Sequence, residues 1–331
     1  MKNRKTYTLD YSSYLNESRQ YTSNEILLSL TEYLNVLKEN SNIVRPIFRG
    51  SDYTGQNTIK YNSKVLNNSS ITIGYVIPRQ KRNSSSYKSN SELDAFWSVW
   101  FDNNEKWKQY PSRKYSANIC TTSYDFANNF GYTNIVIPLN IKNTKFGICP
   151  KNDMFRSFNL DEDDSKNTLI DFSHYILSVL NYIQKYTDDI KFNTKYLYES
   201  YEELINVLNY IQEYFNVLKK DKNLDIDKID DEFINFSIKK FINLPNNITL
   251  FEYVEKLLDP KNNNFLLVEG VIDFLEIVSK ERLYNNEVWF NGDYINLNND
   301  NFFQYRNIVN EKSLYIELIE EAIGNLIKID K

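Results

Sequence analysis

Histidine is almost missing: His174 is the single one in 331 residues. A multi-histidine metal site is excluded, and a Ser-His-Asp triad has one candidate base. Glycine occurs eight times, at 50, 55, 74, 131, 147, 270, 292 and 324. No two of them have the spacing of GxGxxG, and Gly50 and Gly55, spaced as in GxxxxG, are followed by Gln56-Asn57 in place of Lys-[Ser/Thr], so Rossmann and P-loop phosphate cradles are absent and a bound nucleotide has to be held another way. The two cysteines, Cys120 and Cys149, have neither CxxC spacing nor the number a disulfide framework needs, which suits a reducing compartment. No apolar run approaches the roughly 18 residues of a membrane span. The polar opening MKNRKTYTLDYSS carries no signal-peptide stretch. The expectation is a cytoplasmic protein with no membrane partner.

Hydrophobic residues at 41% and charged residues at 25% are ordinary globular values, so wholesale disorder is not expected. With 39 basic and 44 acidic residues the net charge is −5, a disadvantage for any nucleic-acid binder that relies on bulk electrostatics. Abundant Asn, Ile, Lys, Tyr and Phe point to AT-rich coding DNA, hence a phage or low-GC bacterial source. This says nothing about chemistry.

Helical spacing of Ile26, Leu27, Leu30, Leu34 and Leu37 predicts a helix over 24–40. Pro46 stops it, and PIFRG reads as a short buried strand. ITIGYVI at 71–77 is strand-like, 81–92 is a Ser/Asn-rich loop, and a short aromatic helix carries Phe96, Trp97 and Trp100. From 115 the chain is β-rich: YSANICTTS, a helical turn, NIVIPL and KFGICP. Past residue 160 helical stripes dominate, first Leu169, Phe172, Ile176, Leu180 and Ile183, then Leu204, Val207, Leu208, Ile211, Phe215 and Leu218. Shorter helices are expected around 230–242, 249–258 and 265–279. EVWF and YINL around Asn291-Gly292-Asp293 read as a β-hairpin, and a helix at about 311–328 closes the chain. The residues thus predict an α+β domain with a helical insertion or lobe.

Three constellations carry candidate chemistry. In Phe48-Arg49-Gly50 a guanidinium suited to phosphate ends an apolar strand, and the glycine permits close backbone approach; a strand-end salt bridge is the plainer role. Thr121, Thr122 and Ser123 set three hydroxyls at a strand-to-helix junction, where they cap the helix or orient a carboxylate or ligand. Glu287 opens the apolar strand Glu287-Val288-Trp289-Phe290, either desolvated toward a cleft or as an edge charge that resists aggregation. The acidic runs 161–166 and 225–232 lack EF-hand spacing and read as solvated helix starts. His174 reads as structural or surface, Cys120 as inward-packing, and Trp97, Trp100 and Trp107 as packing residues.

In this order the three constellations resemble the mono-ADP-ribosyltransferase family, in its arginine–serine–glutamate branch with the divergent phage-encoded and toxin-like members. The stretch Tyr110 to Phe158 is similar to that phage-type subgroup. The resemblance covers roughly 43–158 and 283–297. It implies a split two-sheet core with NAD as substrate in the cleft and no metal. Arg49 would contact the NAD phosphate or adjoining ribose, and the Gly50 backbone would reach the nicotinamide amide. Thr121, Thr122 and Ser123 would orient the catalytic Glu287 and shape the ribose pocket. Tyr124, Phe126, Phe130 or Tyr132 would supply an aromatic face for nicotinamide. Two residues before Glu287, where arginine-modifying members carry Glu and many others Gln, stands Asn285, an acceptor-selecting position whose shorter amide leaves the acceptor open.

The expected activity is transfer of ADP-ribose to a macromolecule, protein rather than nucleic acid, with release of nicotinamide, in a (host) cytoplasm. The alternatives are a non-catalytic binding or virion-type module on the same fold, or an unrelated α+β protein. Glu269 is the fallback glutamate. The expected division is 1–158 for the N-terminal helix and β-rich NAD-binding half, 159–280 for the helical lobe, and 281–331 for the closing hairpin and C-terminal helix.

Overall fold

The computed structural model describes residues 21–39, 46–51, 65–66, 69–74, 97, 99–113, 117–158, 169–186, 200–220, 248–281, 283–299 and 312–329. Within them the chain is mixed α and β, built on one antiparallel nine-stranded sheet. The strands are β1 (Ile47–Ser51), β2 (Val65–Leu66), β3 (Ser69–Gly74), β4 (Ala117–Thr121), β5 (Tyr132–Pro138), β6 (Lys145–Ile148), β7 (Leu266–Glu269), β8 (Glu287–Asn291) and β9 (Tyr294–Asn299). Their spatial order is β2-β3-β9-β5-β1-β4-β8-β6-β7. The described helices are α1 (Ser23–Glu39), α2 (Tyr124–Asn128), α3 (Leu169–Tyr186), α4 (Tyr201–Lys220), α5 (Leu250–Leu257), α6 (Val271–Lys280) and α7 (Lys312–Ile329). The acidic runs 161–166 and 225–232, the 81–92 loop, Phe96 and the helix expected at 230–242 lie outside the described residues.

In place of two separate sheets there is one sheet with a narrow waist. β1 meets β5 along its whole length, Ile47 to Ser51, and β4 meets β8 from Ala117 to Thr121. Between β1 and β4 the only register pair among the described residues is Phe48 with Thr121. The sheet is therefore two halves, β2-β3-β9-β5-β1 and β4-β8-β6-β7, stitched at one point.

That division overturns the expected hairpin. β8 and β9 follow each other through Asn291-Gly292-Asp293, yet β8 pairs with β4 and β6 while β9 pairs with β3 and β5. The turn is a crossover between the two halves. Gly292 takes φ of 107°, and its neighbours are held from elsewhere: Asn118 Nδ2 donates to the Gly292 carbonyl at 2.8 Å, the Leu139 N–H to the Asp293 carbonyl at 3.0 Å, and the Tyr21 hydroxyl to Asp293 Oδ2 at 2.5 Å. These tertiary bonds override a local signal that describes the turn alone. The expected 265–279 helix is also corrected. Residues 266–269 form β7 against β6, and the helix starts after Gly270, whose φ of 84° makes the corner. A four-residue apolar run cannot declare strand or helix by periodicity.

Two hydrophobic cores flank the sheet, and both cut across the division at 158. The first joins α1, α6 and α7 to β1, β5, β9 and the Val288 and Phe290 side of β8. The second joins Trp97, Trp100, Phe101, Trp107 and Tyr110, then Cys149, Met154 and Phe158, to α3, α4, α5, Phe265 and Trp289. The stripes read from the sequence are the buried faces: Leu169, Phe172, Ile176, Leu180 and Ile183 on α3, and Leu204, Val207, Leu208, Ile211 and Phe215 on α4. Alternation along β8 sends Val288 and Phe290 into one core and Trp289 into the other.

Candidate functional site

The three motif strands are neighbours, in the order β1-β4-β8. Thr121 pairs with Glu287 on β8 and with Phe48 on β1. Residues directly opposite in an antiparallel ladder share a face, so Thr121 and Glu287 stand side by side. Residues 49, 121 and 287, far apart in sequence, are thus gathered at the waist of the sheet.

The side chains then divide. Glu287 opens β8 on the face of Trp289 and is 9% exposed. Its Oε1 lies 2.5 Å from Arg113 Nη1, its Oε2 accepts the Met154 N–H at 3.2 Å, and the Cys149 Sγ is 3.9 Å from Oε1. The strand start is fixed through its backbone as well: the Glu287 N–H donates to the Lys151 carbonyl at 2.9 Å and its carbonyl accepts from the Cys149 N–H at 2.8 Å. Arg113 also lies over the Trp289 ring, with Cζ 5.1 Å from the centroid. Burial, the largest influence, pulls the guanidinium pKa down, but the acidic groups around it, Glu287 foremost with Cys149 and Asp153, together outweigh it and the net shift is upward. The Cys149 thiol is pushed well above its usual value, first by burial and then by the Glu287 charge, so it sits in the site as a neutral group.

Arg49 follows Phe48 and therefore faces the other side of the sheet. Its Nη1 donates to Asn118 Oδ1 at 3.2 Å and to the Tyr294 hydroxyl at 3.0 Å, and its Cζ lies 5.7 Å from the Tyr294 ring centroid. Asn118 is fully buried and also holds Gly292, so Arg49 ties β1 to β4, β9 and the crossover turn together. Burial lifts the Cys120 thiol to about 12, with the Arg49 charge pulling it down and Glu287 pushing it up; Cys120 feels both charges between the two faces.

The hydroxyls are engaged with backbone. Thr121 Oγ1 accepts the Ser123 N–H at 3.1 Å, and Thr122 Oγ1 accepts the Asn286 N–H at 3.0 Å. Ser123 is the N-cap of α2, accepting the Phe126 N–H at 3.1 Å. Gly50 serves packing: a Cβ there would meet the Ala127 carbonyl oxygen at 2.2 Å and the Phe130 Cβ at 2.8 Å, so α2 sits directly on β1. Of the aromatic candidates, Tyr124 meets Phe48 edge-on at 5.8 Å, while Phe126 and Phe130 pair at 5.3 Å with Phe130 60% exposed. Asn285 is exposed ahead of β8, and Asn286 turns inward with its Nδ2 on the Cys149 carbonyl at 2.9 Å. Glu269 ends β7 at the sheet edge, exposed opposite Lys145 and away from the waist, and His174 lies on the exposed side of α3.

Arg113 is the residue that sequence reasoning passed over. It lies in Tyr110-Pro-Ser-Arg-Lys114 just before β4, 174 positions from its partner, and no spacing rule links such a pair. A cavity of about 370 Å³ opens at the far end of β8, lined by Tyr110, Pro111, Lys145, Asn291, Gly292 and Asp293 among others. Glu287 is four residues along the strand from Asn291, roughly 13 Å at the usual strand rise. Among the described residues no group of three or more His, Cys, Asp or Glu side chains is placed to hold a metal ion, and no helix is long and apolar enough to cross a membrane. The chain matches no protein-family model, and no curated protein or solved structure is significantly similar to it.

Proposed function

We propose that the protein is an NAD-dependent mono-ADP-ribosyltransferase that uses Glu287 at the waist of the sheet. The observation that carries this reading is the register: the hydroxyl strand lies between the arginine strand and the glutamate strand, with Thr121 directly beside Glu287. A carboxylate fixed by a backbone N–H and a rigid strand start is what the reaction asks of a protein. The bond between ribose C1′ and the nicotinamide nitrogen breaks, and its electron pair leaves with neutral nicotinamide, so no general acid is needed. The developing oxocarbenium ion is stabilised by the carboxylate and captured by a nucleophile of the acceptor, which gives up its proton. A chain with one histidine, itself remote on α3, can do this. The net charge of −5 favours a protein acceptor over nucleic acid.

The test is incubation of the full chain with NAD labelled in its ADP-ribose part and a bacterial lysate, following label into protein and nucleic acid separately, with nicotinamide release measured in parallel. Glu287→Gln should lower nicotinamide release about 100- to 1,000-fold, the usual effect of losing one preorganised electrostatic group, with an unchanged far-UV circular dichroism spectrum. Equal activity in wild type and variant would remove Glu287 from the chemistry.

A second reading, a binding module on the same fold, is favoured by one observation: Arg49, Ser123 and Glu287 each already have a partner inside the protein. Absence of NAD binding in calorimetry would select it.

A further inference from the structure

Glu287 and Arg113 form an ion pair that is nearly shut off from water, with side chains 11% and 6% exposed. While they hold each other, both carboxylate oxygens are engaged, one by Arg113 and the other by the Met154 N–H, and the negative charge is directed at the guanidinium. The phosphate-binding role expected for Arg49 has no support on this face, because that guanidinium is turned to Asn118 and Tyr294. The arginine on Glu287's face is Arg113. Guanidinium matches phosphate and carboxylate with the same planar fork, so a carboxylate-bound arginine is preorganised for an incoming phosphate. On this face Ile119 of β4, paired with Trp289, is 39% exposed.

Resting on the transferase reading, we propose that Arg113 is the phosphate-binding residue of the site and that the pyrophosphate of a dinucleotide takes it from Glu287. In the exchange the guanidinium moves from carboxylate to phosphate, and the freed carboxylate keeps the Met154 N–H and faces the ribose. Binding of the dinucleotide and arming of the glutamate become one event. Only a ligand that brings its own anion releases Glu287, so nicotinamide riboside, which lacks phosphate, leaves the pair closed.

The two partners must then act on binding with opposite signs. Glu287 competes with the ligand for Arg113, so Glu287→Gln should bind ADP-ribose about tenfold tighter than wild type, the factor that corresponds to about 1.4 kcal/mol. Arg113→Met should bind at least tenfold weaker. Because Arg113→Met leaves a buried carboxylate unpaired and can fail to fold, the Arg113→Met/Glu287→Gln double variant, which removes both charges, is measured beside it and should bind no tighter than wild type. The experiment is calorimetric titration of the full chain and these variants with ADP-ribose, with nicotinamide release from NAD followed separately. Tighter binding by Glu287→Gln and loss of that gain in the double variant support the exchange. Weaker or unchanged binding by Glu287→Gln, a double variant that keeps the gain, or no binding to any form overturns it. Nicotinamide release with binding indifferent to both residues leaves the transferase reading standing and removes the exchange. The predicted binding pattern with no nicotinamide release removes the reading and leaves an anion-exchange site.

Discussion

The two cores that share β8 are built on different principles. The one behind Val288 and Phe290 is largely aliphatic, closed by α1 and α7, and its buried polar contact is a bond between two tyrosine hydroxyls, Tyr33 and Tyr315, 2.8 Å apart. The one around Trp289 is aromatic, and three of its four indoles are anchored, while Trp100 Nε1 has no hydrogen-bond partner among the described residues. Trp97 Nε1 donates to the Leu169 carbonyl at 3.1 Å, Trp107 to Leu258 at 2.7 Å and Trp289 to Pro111 at 2.8 Å. Aliphatic side chains fill space without fixing direction, whereas a hydrogen-bonded indole also fixes the chain segment it donates to. The candidate site follows that difference. Glu287 and Arg113 lie on the anchored side, where Trp289 positions Pro111 through its N–H and Arg113 through its ring. Arg49 lies on the other side, where it works as a tie between the half-sheets.

Breaking the anchored core should have the largest effect on stability. Trp289 fills the space between Gly147, Tyr110, Phe265 and Arg113, with its ring stacked on Tyr110 at 6.0 Å. Trp289→Ala should cost about 3–5 kcal/mol in urea unfolding. It should also remove nicotinamide release, because the seat of Arg113 and Pro111 goes with the indole. Phe290→Ala, one residue on in the aliphatic core, should cost a similar amount of stability while leaving the segment 110–113 in place. Equal loss of activity in folded samples of both variants would show that the two cores do not differ in this respect.

A smaller effect separates two glycines that are close-packed for different reasons. A Cβ on Gly147 would enter the Trp289 ring, 2.2 Å from Cζ2, whereas a Cβ on Gly50 would strike the Ala127 carbonyl oxygen at 2.2 Å. Overpacking of this kind costs about 1–3 kcal/mol. Gly147→Ala should be rescued in part by Trp289→Phe, which shortens the neighbour. Gly50→Ala meets backbone and should resist rescue by any nearby side-chain change. A double-mutant cycle in urea reads the difference, and additivity of Gly147→Ala with Trp289→Phe would count against it.

Much of this architecture is legible in the sequence, and the limit falls where local pattern ends. The helix faces of α1, α3 and α4 follow from spacing, since burial on one side of a helix has a fixed period. β1, β4, β5 and β6 follow from short apolar runs between breakers. The sequence of β7 is ambiguous between helix and strand because the four-residue apolar run Phe265–Val268 carries no period, and the β8–β9 connection has the turn chemistry of a hairpin. What decided otherwise were bonds from Asn118, Leu139 and Tyr21, distant in sequence. At the site the pattern was similar. Ser123 as a cap is legible from position alone, whereas the neighbouring of β1, β4 and β8 that brings residues 49, 121 and 287 to the waist depends on pairing between strands distant in sequence. The opposite facing of Arg49 and Glu287 depends on which residue pairs with which across the waist, a register no single strand encodes. Arg113 was invisible for the same reason.

The mildest test sharpens the aliphatic side of the comparison. Burial raises the Tyr33 hydroxyl to about 12, its hydrogen bond with Tyr315 working slightly the other way, and burial likewise lifts Tyr315 well above its ordinary value. Both are protonated in the fold at pH 10, where an unfolded tyrosine is about half ionised. Above that pH the unfolded chain releases protons that the folded chain keeps, so the unfolded state is favoured as pH rises. Stability from this pair is therefore fully present below pH 10 and is lost between about 10 and 12, amounting to about 1 kcal/mol per tyrosine by pH 10.5. Urea midpoints at pH 8, 9.5 and 10.5 should be level over the first interval and fall over the second. Tyr33→Phe should make that fall shallower, at the expense of a lower starting stability because the Tyr315 hydroxyl loses its partner. An alkaline fall of the same steepness in Tyr33→Phe would show that the Tyr33 hydroxyl contributes nothing to it and would assign the fall to other groups.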